Sequence, residues 1–224
     1  MKPCIGTLPH GHFSCISLGA DYYSGGVLIE LPLQRKRITD LKKVEPFFLL
    51  KSNGDIEINA EIVTPLGHIK KIITILNDDE SISLSYNFSN WKQLFGTVRL
   101  GGLTFLGEFN KENISVSSIN GGVLYEQFIL DKEARHTSPA STLVSSSGGL
   151  GATTGDIYFK SKQNKVHLKW SPSECAVFPM LQYVPSESES LSRVFFSMKE
   201  LDGTSKKSNQ IGSFKLTIRG DSDV

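Results

Sequence analysis

Ser81-Ile82-Ser83-Leu84-Ser85-Tyr86-Asn87-Phe88 is the stretch whose reading decides the fold class. Large apolar side chains alternate with small polar ones, the period-two pattern of a strand that buries one face and wets the other. Just upstream, Ile56, Ile58, Ala60 and Ile62 alternate with Glu57, Asn59 and Glu61. The turn Thr64-Pro65-Leu66-Gly67 then leads into residues 68–76, and Asn77-Asp78-Asp79 turns that strand into the next. These three strands read as a meander.

Working outward, residues 47–51 precede Ser52-Asn53-Gly54-Asp55, where the Asn-Gly pair predicts a two-residue hairpin turn. Residues 157–160, the polar turn Lys162-Gln163-Asn164 and residues 165–170 predict another hairpin, with Val166, Leu168 and Trp170 on one face. Residues 176–184, 193–201 and 211–219 complete a set of about a dozen strands. Only residues 35–44, rich in Lys and Arg, are expected to form a helical turn or two. A dozen strands exceed what one sheet usually holds. The expected fold is therefore all-β, a large two-sheet antiparallel sandwich, in a single domain over residues 1–224.

Charge and cysteine usage narrow the function classes. Lys plus Arg number 24 and Asp plus Glu 23, a net charge of +1. That balance provides no field for steering toward nucleic acid or an anionic membrane, so neither is expected as a partner. Three cysteines, Cys4, Cys15 and Cys175, show no C-x-x-C pair and no zinc-ligand spacing. They read as reduced, partly buried thiols of a cytoplasmic protein. The N-terminal residues lack the apolar core of a signal peptide, and the longest apolar run is only Pro46-Phe47-Phe48-Leu49-Leu50.

No complete catalytic constellation is present. Gly149-Leu150-Gly151-Ala152-Thr153-Thr154-Gly155 misses the G-x-G-x-x-G spacing by one residue and precedes a strand, not a phosphate-holding helix. Its glycines suit a sharp turn or a close backbone approach. His10 and His12 could share one side of an extended segment, but no third ligand completes a metal site, and no cofactor is expected. His68, His136 and His167 are scattered singly. Glu30, Glu108, Glu126, Asp156 and Glu200 lie in or beside strands, where a convergent pair could perform acid/base chemistry. Polar-aromatic clusters of the kind that contact sugars occur at Asp21-Tyr22-Tyr23-Ser24-Gly25-Gly26 and at Asn87, Asn90 and Trp91.

Several phrases together carry a family resemblance. They are Gly19-Ala20-Asp21-Tyr22-Tyr23-Ser24-Gly25-Gly26, Val98-Arg99-Leu100-Gly101-Gly102-Leu103-Thr104, Asn120-Gly121-Gly122, Leu143-Val144-Ser145 with Gly149-Leu150-Gly151-Ala152-Thr153, and Phe196-Ser197-Met198-Lys199-Glu200-Leu201-Asp202. In that order the chain resembles the β-rich C-terminal region of glycoside hydrolase family 57-type enzymes, of the galactose mutarotase-like supersandwich class. The resemblance implies a non-catalytic domain that accompanies a polysaccharide- or α-glucan-processing barrel. The barrel's catalytic carboxylates have no counterpart in these 224 residues. Carbohydrate contact is then expected from Tyr22, Tyr23, Asn90, Trp91 and Arg99, with a catalytic barrel domain or subunit as partner. Mutarotase activity, an aldose epimerisation, would need a His/Glu pair, for which His136 with Glu126 or Glu200 is the available combination. A purely structural module that holds a partner subunit is the third expectation.

Overall fold

A computed structural model describes residues 3–8, 12, 23–77, 81–92, 96–111, 113–131, 133, 149–186, 189–200 and 212–222. The strands are β1 (Ile5–Gly6), β2 (Gly26–Leu31), β3 (Lys36–Thr39), β4 (Phe47–Leu50), β5 (Ile56–Thr64), β6 (Gly67–Leu76), β7 (Ser81–Ser89) and β8 (Thr97–Phe105). They continue with β9 (Ile114–Ser118), β10 (Glu126–Leu130), β11 (Asp156–Lys160), β12 (Asn164–Lys169), β13 (Phe178–Val184), β14 (Leu191–Lys199) and β15 (Phe214–Ser222). Two antiparallel sheets pack as a sandwich. One runs β13-β14-β8-β2-β3, with β1 also on β8, and the other runs β10-β9-β11-β12-β15-β7-β6-β5-β4.

The expected meander is present as β5, β6 and β7, in unbroken register from Ile56↔Ile75↔Ile82 to Ile62↔Ile69↔Phe88. The 47–51 hairpin is also present, but its turn is longer than two residues. Lys51 N–H donates to Asp55 O, Gly54 N–H donates to Lys51 O, and Gly54 alone takes a positive φ, 88°. That is a three-residue loop with glycine at the left-handed position. Asp55 secures it by accepting hydrogen bonds from Asn53 Nδ2 and the Asn77 backbone N–H.

Residues 35–44 are not helical. A 3₁₀ turn, Pro32–Gln34, precedes them, Arg35 takes the left-handed conformation (φ 48°), and β3 follows, paired with β2. β3 is an edge strand whose basic residues Lys36 and Arg37 face water, which gave a polar stretch without strand-like alternation.

The core is an aromatic chain that crosses the gap between layers. Phe105 of β8 lies 4.6 Å from Phe159 of β11, and Phe196 of β14 lies 5.4 Å from Phe214 of β15 and 5.2 Å from Trp170. Phe105, Phe159, Phe196 and Phe214 are all buried. Each such ring contributes about 1.5–3 kcal/mol by burial. A second, polar link joins the layers. Asp40, just after β3, holds Lys71 of β6 at 2.9 Å and accepts from Tyr23 Oη at 2.5 Å and Val27 N–H at 3.0 Å. Tyr86 adds a hydrogen bond across the layers, donating to Gly25 O at 2.8 Å.

Candidate functional site

β8 is buried along its whole length, on both faces. Val98, Leu100, Leu103 and Phe105 point into the sandwich core. Leu103 follows Leu100 by three positions instead of two, so the alternation slips by one. The slip is a bulge at Gly101 (φ 59°), matched by register shifts against β14 and β2. Its effect is to give the outer face the sequence Thr97, Arg99, Gly102, Thr104.

Neighbouring strands cover that outer face. A Cβ on Gly102 would sit 2.7 Å from the Phe195 ring, so only glycine lets this ring lie on the sheet. The Arg193 guanidinium caps the ring at 4.6 Å and donates through Nε to Thr104 Oγ1 at 3.0 Å. Leu28, Arg99, Met180, Leu181, Gln182 and Phe195 line a shallow surface cleft.

Arg99 is the polar centre of the cleft. Its Nε donates to Glu200 Oε1 at 2.9 Å and its Nη2 to Glu200 Oε2 at 3.0 Å, a bidentate pair. Its Nη1 lies 3.5 Å from Glu30 Oε2, and Arg37 pairs with the other oxygen of Glu30 at 2.9 Å. Ser197, directly across from Arg99 in register, donates to Glu200 Oε1 at 2.5 Å. A guanidinium has five N–H donors. These contacts engage one N–H on each of its three nitrogens. Both carboxylates already accept from a cation, so the arrangement can bind and orient a polar molecule.

The structure thus joins Arg99, expected as a sugar contact, to Glu200 and Glu30, expected as carboxylates. It does not join Glu200 to Glu126, which lies on β10 at the edge of the other sheet. His136 and Tyr22 lie outside the described residues. Tyr23 is half-buried, its hydroxyl committed to Asp40. Asn90, with positive φ (52°), and Trp91 occupy the β7–β8 connection. Trp91 packs edge-on against Phe88 at 4.9 Å, on the core side of the nine-stranded sheet.

A second cluster, which sequence reading did not assemble, lies on the outer face of that sheet. Tyr158 and His167 are cross-strand partners, stacked at 4.2 Å, and His167 Nε2 lies 2.7 Å from Asp156 Oδ1. Lys165 Nζ sits 4.4 Å from the centre of the Tyr158 ring, and Tyr125 meets the ring at 5.6 Å. Burial, then the hydrogen bond with Tyr125, pushes the Tyr158 phenol up to about 12. His167 stacking and the Lys165 ammonium occupy Tyr158, so the cluster reads as a cross-strand ladder. The alternation of residues 165–170 carried the signal for it, since His167 and Lys165 share a face. Among the described residues no group of His, Cys, Asp and Glu could hold a metal ion. His12 instead meets Glu189 at 3.0 Å, and His68 meets Glu61 at 2.7 Å.

No family model and no curated protein matches the chain. Solved structures do. The α-N-acetylgalactosaminidase NagBb of Bifidobacterium bifidum, in complex with GalNAc, matches with a TM-score of 0.60 over 89% of this chain, at 7% identity. The galactosidase domain of the α-galactosidase-sucrose kinase AgaSK matches with a TM-score of 0.52 over 98% of this chain, at 9% identity. The chain spans 30% and 31% of those two chains. The likeness is one of fold: this β-sandwich is of a kind found as part of glycosidase chains.

Proposed function

We propose that this chain is a carbohydrate-associated, non-catalytic β-sandwich that works beside a glycoside-processing catalytic unit, and that the Arg99 cleft takes the sugar. One observation carries the reading. The cleft sets an apolar wall of Leu28, Met180 and Phe195 beside Arg99 and Gln182, and Arg99 is itself fixed by Glu30 and Glu200. A pyranose needs that pairing, an apolar surface for its C–H face and oriented polar groups for its hydroxyls. The fold likeness to glycosidase chains supports it, as does the resemblance to the mutarotase-like region of family 57-type enzymes.

Titration calorimetry with malto-oligosaccharides, galactosides and GalNAc tests the binding site. The expected result is millimolar binding of at least one sugar, lost in Phe195→Ala and weakened in Gln182→Ala. No heat from any of them would refute it. Trp91→Ala and Tyr23→Phe test in the same titration whether Asn90 and Trp91, or Tyr22 and Tyr23, make sugar contacts separate from this cleft. Polarimetry of glucose and galactose interconversion tests the non-catalytic role. Rates above buffer, abolished by His136→Ala, would replace it with an epimerase.

A further inference from the structure

The nine-stranded sheet is wider than its partner, and the overhang ends in β4. Among the described residues β4 pairs only with β5, and all four of its side chains are exposed. Phe48 is 68% and Leu50 73% exposed. The hydrogen bond from Lys51 N–H to Asp55 O sets the phase of the hairpin. Counting back from it, Leu49 and Phe47 turn their backbone groups toward β5, and Phe48 and Leu50 present theirs to the open edge. β4 carries no charge, proline or bulge, the usual guards of an edge strand.

The side chains continue the apolar surface around it. Cross-strand register puts Phe48 beside Ile58 and Leu50 beside Ile56, on the face that carries the core residues Ile62, Ile69 and Leu84. On this overhang Ile56, Ile75 and Ile82, a row across three strands, stay 40–45% exposed. Phe47 and Leu49 lie on the other face, and the four β4 side chains together expose on the order of 500 Å² of apolar area, a large share of the ~800 Å² per partner of a stable interface.

We propose that this edge pairs with the same edge of a second copy, antiparallel about a two-fold axis at Leu49. Phe48 then lies opposite Leu50 of the partner, and the two equivalent pairs close four main-chain hydrogen bonds. Glu45, two residues before Phe47, comes diagonally within reach of the partner's Lys51 at each end of the ladder, where it would join the pair that Lys51 makes with Glu57 of its own chain at 2.6 Å. The opposite edge, β10, takes no part.

Sedimentation equilibrium of the full chain at about 10–100 µM tests the pairing, with hydrogen exchange on the amides of Phe48 and Leu50. Twice the chain mass is expected, with both amides protected. Phe48→Lys and Leu50→Lys should weaken association at least a hundredfold with an unchanged circular dichroism spectrum. Leu50→Pro, which removes only an open-edge donor, should weaken it too. Ile129→Lys on β10 should leave the dimer intact. A monomer at the highest concentration, a dimer indifferent to the β4 substitutions, or one broken by Ile129→Lys would each overturn the proposal.

Discussion

Replacing Asp40 by alanine tests the polar link between the layers. The Asp40 side chain is only 1% exposed and serves three donors at once: the Lys71 ammonium, the Tyr23 hydroxyl and the Val27 N–H. Breaking a buried pair by removing one partner costs about 3–5 kcal/mol, because the other charge is left uncompensated. Lys71 is 16% exposed and its stem is flexible, so its ammonium can recover part of its hydration. The expected loss is therefore near the low end, about 3 kcal/mol. Urea unfolding followed by tryptophan fluorescence reads it, since Trp170 is buried and Trp91 half-buried against the core. With an m-value of about 3 kcal/mol/M, the midpoint should fall by about 1 M at unchanged slope. Lys71→Met should cost at least as much, because it strands a carboxylate that is more deeply buried than the ammonium. Combining the two should give much less than the sum. A loss below about 1 kcal/mol for Asp40→Ala, or additivity in the double variant, would show that the pair does not hold the layers together.

Gly102→Ala should tilt Phe195 off the sheet, since the new methyl would lie 2.7 Å from the ring. The expected cost is about 1–3 kcal/mol of stability, with weaker sugar binding, read by urea unfolding and calorimetry. Burial pushes the Cys175 thiol from 9.0 to about 11. In a Cys4→Ser, Cys15→Ser background, labelling by a disulfide reagent at pH 8 should be about a hundredfold slower folded than in urea. The Tyr158 phenol, raised from 10.0 to about 12, favours the folded state while it is neutral. Its contribution is whole below pH 10 and is lost as pH rises through 12, so Tyr158→Phe should flatten the alkaline limb of stability in that window. An absorbance titration of the tyrosines near 295 nm should lose a late-ionising component in the same variant.

The parts of the fold legible in the sequence were those with one wet face. β5, β6, β7, β11 and β12 alternate because one side of each looks outward, and polar turns separate them. The middle of the six-stranded sheet was not legible. β2, Gly-Val-Leu-Ile-Glu-Leu, is nearly continuous in apolar residues, and β8 is buried on both faces, so neither alternates cleanly. In β8 the bulge at Gly101 also shifts the phase, turning two inward leucines into an apparent three-residue spacing. Val98-Arg99-Leu100-Gly101-Gly102 therefore stood out as a phrase but not as a strand.

The candidate site was hidden for a related reason. Arg99 and Glu200 are 101 residues apart, and only the pairing of β14 with β8 places Ser197 across from Arg99 and brings Glu200 within reach. Parity along each strand says that Leu28, Glu30, Arg99 and Ser197 face away from the core, but not which of them meet. The same pairing encloses Arg99. β8 is central, so long side chains from β2, β14 and β13 close over it and leave Arg99 only 8% exposed at its side chain. In that setting a guanidinium held by two carboxylates keeps one geometry. A proton-transfer site would need a carboxylate or imidazole free to exchange its proton with substrate. Glu30 and Glu200 both pair with Arg99, and in the proposed reading they frame a polar anchor beside an aromatic wall.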